Sequence, residues 1–179
     1  MNLLIQDNFF DSVSEIRELA LSLDYRCSED IVYDVGWKGY RTEELDFFNN
    51  DILVECEENI LNSVCNFYNL TGYSITTYFH ISYESTKNIL NDFNNKKYHF
   101  DLSEYAGVIY LTPDPPKKMG TSILDGNKNK IINVENIYNR LLAYPASCIH
   151  APTDLFGDNK ENGRMTLSFF LDKDSSWSL

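Results

Sequence analysis

The chain has 179 residues, 43% of them hydrophobic and 14% aromatic, which is enough apolar material for one domain with a buried core and excludes a disordered chain. Its net charge is −12, from 15 Lys and Arg against 27 Asp and Glu, and its densest cationic runs are only the pairs Lys96-Lys97 and Lys117-Lys118. A surface that grips a phosphate backbone needs clustered cations, so the balance argues against nucleic acid as substrate.

In chain order, Leu3-Leu4-Ile5 reads as a short strand. Asp11 then stands where a helix N-cap belongs, and Val13, Ile16, Leu19, Ala20 and Leu23 follow at helical spacing, which predicts an amphipathic helix over 12–24. Residues 26–42 show no period and read as irregular. From Thr42 to Tyr68 the helical pattern returns, with Leu45, Phe48, Ile52, Leu53, Cys56, Ile60, Leu61, Val64 and Phe67 on one stripe, as one long helix or two shorter ones. Residues 73–83 are rich in β-branched and aromatic side chains and read as a strand, and the Asn-rich stretch 84–97 as a loop. Strand-like runs follow at 98–101, 105–112, 121–124, 139–144, 147–150 and 164–171, separated by prolines and glycines. Helices first and many short strands afterwards predict a mainly β fold with flanking α, a jelly roll carrying N-terminal helices. Residues 1–72 would be mostly helical support and 73–171 the jelly-roll core of a single domain spanning 1–179.

Cys27, Cys56, Cys65 and Cys148 form no CxxC pair and no regular framework, so they read as reduced thiols of a cytoplasmic protein. No run approaches the roughly 18 apolar residues of a membrane span, and Met1 to Phe10 lacks the basic opening of a secretory leader.

The chemistry concentrates in Tyr98-His99-Phe100-Asp101 and Ser147-Cys148-Ile149-His150. On an extended segment, residues i and i+2 face the same side, so His99 and Asp101 can point together into the mouth of a barrel. A second imidazole from a distant strand, His150, would complete one face of an octahedron. Two His and one carboxylate with three positions open suit non-haem iron(II). Further along, Arg164 opens the strand Arg164-Met165-Thr166-Leu167-Ser168-Phe169-Phe170, and Arg164 and Thr166 share a face. A guanidinium fork beside a hydroxyl makes a clamp for a carboxylate.

His99-x-Asp101…His150…Arg164-x-Thr166 resembles the metal- and cosubstrate-binding pattern of the 2-oxoglutarate and iron(II) dependent oxygenase superfamily. It is most similar to the prolyl-4-hydroxylase-like branch and small related bacterial and viral oxygenases. Leu3-Leu4-Ile5-x-x-Asn8-Phe9-Phe10 resembles that branch's opening, Tyr105–Thr112 its strand after His-x-Asp, and Gly120-Thr121 the turn that follows. Leu142-Ala143-Tyr144-Pro145-Ala146-Ser147-x-x-His150 resembles the approach to the distal histidine, and Phe156-Gly157 with Gly163–Phe170 the closing loop and strand. The resemblance implies a double-stranded β-helix, with His99, Asp101 and His150 as iron(II) ligands and metal-bound catalytic centre. It also implies 2-oxoglutarate and dioxygen as cosubstrates. Arg164 would pair with the distal carboxylate of 2-oxoglutarate, with Thr166 as a second contact, and Tyr78, Tyr98 and Tyr110 are alternative donors of a hydroxyl to it. Prolyl-4-hydroxylases usually carry Lys where this chain has Arg164, which loosens the link to proline. The carboxylate of Asp101 argues against a halogenase, which needs that position for halide.

The implied activity is a dioxygenase that hydroxylates a peptidyl residue or small organic substrate and releases succinate and CO2. Two alternatives stand beside it: a cupin-like metal enzyme that does not use 2-oxoglutarate, and a degenerate jelly roll acting as a binding module. His80, two residues from Tyr78 on the same predicted strand, reads as a structural or cosubstrate-neighbouring histidine. Trp37, Lys38, Tyr40 and Arg41 form an aromatic and cationic cluster in the irregular stretch, either a docked loop or a substrate lid, and Lys87, Lys96 and Lys97 mark a second candidate cover.

Overall fold

The computed structural model describes residues 2–31, 39–86, 98–124 and 131–174. In chain order these form β1 (Leu4–Gln6), α1 (Val13–Ser22), β2 (Arg26–Cys27), β3 (Tyr40–Arg41), α2 (Asp51–Tyr68), β4 (Tyr73–Ser82), β5 (Tyr105–Tyr110), β6 (Thr121–Leu124), β7 (Ile131–Val134), β8 (Leu141–Pro145), β9 (His150–Pro152) and β10 (Arg164–Lys173). Short 3-10 turns occupy Ser28–Asp30, Leu45–Phe48 and Glu84–Thr86.

The two helices follow the apolar periodicity, and polar residues set the ends of α2. The residue capping α1 is Ser12 rather than Asp11, and no side chain caps the helix; the Ser12 carbonyl accepts from the Glu15 and Ile16 amides instead. The stripe expected from Leu45 onward is split in two. Asn49 takes a left-handed backbone (φ 45°), and the Asn50 side chain accepts from the Ile52 and Leu53 amides at 3.0 and 3.4 Å, so a new helix starts there. Asn69, again left-handed at φ 57°, ends α2.

Among the described residues the strands form two antiparallel sheets. The larger runs β1-β8-β5-β10-β4-β3-β2 and the smaller β7-β6-β9. This is the mainly β, jelly-roll arrangement that the sequence pattern predicts, with the helices on one outer face. Residues 1–72 contribute strands as well as helices: β1 closes one edge of the larger sheet against β8, and β3 and β2 extend the other beyond β4.

Strand parity divides the larger sheet's side chains between two cores. On β10, Met165, Leu167, Phe169 and Leu171 join Phe79 and Ile81 of β4 and Ile109 of β5 against Ile16, Ala20, Leu53, Cys56, Ile60 and Val64 of the helices. The opposite face looks toward the smaller sheet, where Ala106, Leu142 and Tyr144 pack with Ile123 and Val134. Arg164, Thr166 and Ser168 also lie on that inner face and are buried, so a strand covered on both sides keeps a polar alternation. That polarity marks the site face.

Several elements differ from the sequence pattern for local reasons. β2 and β3, in the stretch read as irregular, are two residues each, too short to show a period; β7 is four residues with two exposed positions. The expected strand 98–101 makes one bridge, His99 to His150, and no ladder. The run expected at 147–150 becomes a strand only at His150, because the Cys148 amide folds back to the Pro145 carbonyl at 2.9 Å. Trp37, Lys38, Lys87, Lys96 and Lys97 lie outside the described residues, whereas Tyr40 and Arg41 form β3.

Phe169 and Gly107 oppose each other across β10 and β5, and a Cβ on Gly107 would stand 2.3 Å from the Phe169 ring. The ring therefore lies over the bare backbone in the middle of the helix-side core. Phe169→Ala is expected to cost about 3–5 kcal/mol, the usual range for emptying such a space. Urea unfolding checks this; a loss below about 1 kcal/mol would contradict the packing.

Candidate metal centre

The segment ahead of β5 is tied to the approach to β9 by backbone bonds. His99 and His150 exchange both of theirs, His99 N to His150 O at 3.0 Å and His150 N to His99 O at 2.8 Å, while the Asp101 amide donates to the Ala146 carbonyl at 3.1 Å. Opposed residues of such a pair project to the same side, which brings the two imidazoles together with centroids 4.4 Å apart. Asp101, two residues from His99, joins them. His150 Nε2 lies 3.4 Å from Asp101 Oδ2, and His99 Nε2 lies 3.7 Å from Asp101 Oδ1. One donor atom from each of the three falls within 4.8 Å of the others.

The donor chemistry fits a divalent transition metal. His150 Nδ1 is 3.0 Å from the Cys148 carbonyl, which can only accept; Nδ1 therefore carries the proton and Nε2 keeps its lone pair on the Asp101 side. Burial, opposed by the Asp101 charge, holds the His150 pKa below its ordinary value and favours the neutral form a metal requires. His150 is buried, Asp101 partly covered and His99 half-open, so the cluster has one solvent-facing side. Two imidazoles and a carboxylate with an open side match the facial set for iron(II).

Arg164 enters the same interior from the start of β10. It is buried, and its Nη2 donates to the Gly120 carbonyl at 3.3 Å and to Thr121 Oγ1 at 3.2 Å. The Tyr110 ring lies 5.5 Å from its Cζ, and the Tyr110 hydroxyl is 2.7 Å from Thr121 Oγ1. Arg164 Nε is buried without a hydrogen-bond partner, and among the described residues no carboxylate pairs with this guanidinium. Burial pushes its pKa down, with Tyr110 and Tyr144 opposing. Thr166, on the same face, has its Oγ1 3.3 Å from Ser168 Oγ. Tyr144 stands between the two features: its ring is 4.7 Å from that of His150, and both Asp101 and Arg164 act on its hydroxyl.

The three tyrosines left open by the sequence separate in space. Tyr110 lies with Arg164. Tyr78 lies opposite Ser168, its ring 4.8 Å from the Arg41 guanidinium and its hydroxyl hydrogen-bonded to Glu44. Tyr98 is half-buried directly ahead of His99. His80 stays outside the metal cluster, opposite both Arg41 and Thr166, with Nε2 3.5 Å from Ser82 Oγ. Sequence reasoning assigned no site role to Tyr144 or Thr121 and read Arg41 as part of a loop cluster. The signals were available for the first two, since Tyr144 keeps parity with Leu142 on the inner face of β8 and Thr121 follows the Gly120 turn. For Arg41 nothing showed the two-residue strand that carries it.

No protein-family model matches the chain, and no curated protein matches it in sequence. Solved structures do. A Pseudomonas putida prolyl-4-hydroxylase superposes with a TM-score of 0.64 at 12% identity, covering 97% of this chain and 93% of that one. The non-haem alpha-ketoglutarate dependent epimerase SnoN from nogalamycin biosynthesis gives 0.62 at 9% identity, over 94% of this chain and 76% of that one. A Trichoplax adhaerens prolyl hydroxylase in complex with a hypoxia inducible factor oxygen degradation domain peptide fragment gives 0.52 at 15% identity, over 96% and 83%. The chain thus has the fold of the iron(II) and 2-oxoglutarate dependent oxygenases, the superfamily its motifs resemble.

A buried guanidinium without a carboxylate costs the fold stability. Arg164→Met is therefore expected to raise the unfolding free energy of the metal-free protein, by about 1–4 kcal/mol. Chemical denaturation of both proteins checks it; an unchanged or lower midpoint would mean that Arg164 serves to hold the fold.

Proposed function

We propose that this chain is a non-haem iron(II) and 2-oxoglutarate dependent dioxygenase that hydroxylates a peptidyl residue or a small organic molecule, with release of succinate and CO2. The observation that carries the reading is the presence, in one sandwich interior, of the His99, Asp101 and His150 cluster and a buried Arg164 for which the described residues supply no carboxylate. A cupin-like metal enzyme would explain the cluster and leave Arg164 without a task. In this reading residues 1–179 work as one oxygenase domain of a reducing, cytoplasmic compartment, consistent with the four free cysteines. Among the described residues no helix is long and apolar enough to cross a membrane. Fold neighbours that include a prolyl hydroxylase holding a peptide and an epimerase of a biosynthetic pathway support keeping both substrate classes.

His99, Asp101 and His150 would hold iron, which together with the 2-keto acid supplies dioxygen activation and oxidation of a substrate C–H bond. The protein's own part is positioning. The paired backbone bonds of His99 and His150 set the spacing of two donors before metal arrives, and the Cys148 carbonyl fixes the His150 tautomer. Arg164, flanked by Thr166 and by the Tyr110 and Thr121 hydroxyls, would hold the distal carboxylate of 2-oxoglutarate as a charge-assisted pair. The buried Tyr144 lies against His150 and in the field of Arg164, and Ala106, Leu142 and Phe170 pack around it, which would keep that interior poor in water.

The test is an anaerobic titration of the protein with iron(II) and then 2-oxoglutarate, followed by the visible charge-transfer absorption of a keto-acid chelate. The wild type should show the band and His150→Ala should lose it. Asp101→Ala is expected to lose iron retention and turnover while its circular dichroism stays native. Arg164→Ala should keep iron and weaken 2-oxoglutarate by roughly tenfold to a hundredfold, the worth of hydrogen bonds to a charged group. Wild-type turnover in both the Asp101 and Arg164 variants would overturn the assignment; iron binding without a band in the wild type would favour the cupin-like enzyme.

A further inference from the structure

Arg164 stands where the larger sheet comes apart. On one side it is opposed by Ser82 of β4. On the other, the β5 ladder reaches only as far as Thr166 opposite Tyr110, with one further bond from the Leu111 amide to the Met165 carbonyl at 3.0 Å. Beyond that point side chains take over from the backbone. The buried Thr112 hydroxyl donates to the Gly163 carbonyl at 2.6 Å and accepts from the Met165 amide at 2.9 Å, so it holds the residues on either side of Arg164.

A second tie comes from the helix side of the sheet. Arg17 on α1 sends Nη1 to the Leu111 carbonyl at 2.8 Å and Nη2 to the Glu161 carbonyl at 2.7 Å, with Met165 Sδ 3.7 Å from Nη1. One planar fork therefore joins the residue after Tyr110 to the chain on both sides of Arg164. Lys160 adds a bond to the same helix: its Nζ donates to the Leu23 carbonyl at 2.9 Å and lies 4.9 Å from the Tyr25 ring. α1 thus grips the loop that leads from β9, which carries His150, into β10, which opens with Arg164. Stability alone does not explain the choice of residue. Among the described residues Arg17 has no carboxylate at ion-pair distance, and burial lowers its pKa. A half-buried cation on neutral acceptors gains the fold no more than an apolar side chain of similar size. What the fork adds is a fixed separation between two carbonyls.

We propose that Arg17 is a positioning residue for the cosubstrate site: by tying Leu111 to Glu161 across the end of the ladder, it holds Arg164 and Tyr110 at the spacing that receives the distal carboxylate of 2-oxoglutarate. The inference rests on the oxygenase reading above, in which Arg164 takes that carboxylate. Arg17 shares the helix side of the sheet with Leu111 and Met165, so its effect passes through the backbone of residues 110–111 and 161–165. It acts on 2-oxoglutarate and not on iron, because His99, Asp101 and His150 are aligned by backbone bonds of their own.

The experiment titrates the full iron(II)-loaded chain anaerobically with 2-oxoglutarate, following the charge-transfer band, with iron retention measured alongside. Amide hydrogen exchange is recorded on the same proteins without cosubstrate. Arg17→Gln should raise the half-saturating concentration of 2-oxoglutarate roughly threefold to tenfold, the worth of one hydrogen bond, while iron retention and the band at saturation stay as in the wild type. Arg17→Lys, which keeps the charge and loses the planar fork, should lie between, and decides the matter by itself if Arg17→Gln does not fold. Exchange should quicken at Gly163 and Met165 and stay unchanged at Phe169. Leu19→Ala removes packing from the same helix without touching the fork, and it should leave 2-oxoglutarate affinity unchanged. If the wild type shows no band with 2-oxoglutarate, the oxygenase reading falls and this inference with it. With the band present, the Arg17 assignment alone is overturned by any of three results. Half-saturation could stay unchanged in both Arg17 variants, Leu19→Ala could weaken 2-oxoglutarate equally, or the Arg17 variants could lose iron together with 2-oxoglutarate.

Discussion

Two reciprocal backbone hydrogen bonds, between His99 and His150, join the segment ahead of β5 to the start of β9. Each is an ordinary amide-to-carbonyl contact, worth about 1 kcal/mol net. Their effect is geometric. They place two imidazoles side by side, put Asp101 against both, and bring a segment outside any ladder into line with the smaller sheet. The Asp101 amide bond to Ala146 closes the arrangement at its other end. Because the backbone supplies the alignment, donor atoms of His99, Asp101 and His150 converge within 4.8 Å of one another.

That site sits inside a sandwich whose other face carries the stability. The helix-side core is apolar throughout, with Phe169, Leu167, Ile81, Ile60 and Leu53 almost fully buried. It offsets the cost of an inner face that buries Arg164, Thr166, Ser168 and much of Arg41. Polarity on one face of a strand that is covered on both sides is a local conflict with folding, and such conflicts concentrate where function requires them. β10 shows it residue by residue: its odd positions from Met165 to Leu171 pack against helices, and its even positions from Arg164 to Ser168 face the site.

Two arginines lie on the inner face of this acidic protein. The overall charge of −12 disfavours a polyanion, while a cation in a low-dielectric interior acts strongly at short range. Aromatic rings accompany both guanidiniums, Tyr110 beside Arg164, and Tyr78 with Phe170 beside Arg41.

Much of this was legible in the residue order. Helical spacing marked α1 and α2, β-branched and aromatic runs marked β4, β5 and β10, and parity alone placed His99 with Asp101 and Arg164 with Thr166, because those relations are local and periodic. The strands β2, β3 and β7 were not legible, since two to four residues cannot display a period. Nor could the sequence choose among Tyr78, Tyr98 and Tyr110, as all three satisfy the same local pattern. Strand order separates the three in space: β5 beside β10 brings Tyr110 to Arg164, while β4 and β3 on the other side bring Tyr78 to Arg41 and Glu44. The sequence by itself determined which residue types were available and which neighbours share a face. Only the tertiary structure decided which distant residues meet, because cross-strand register and the packing of one sheet on another are set by contacts between segments whose separation along the chain carries no record of their distance in space.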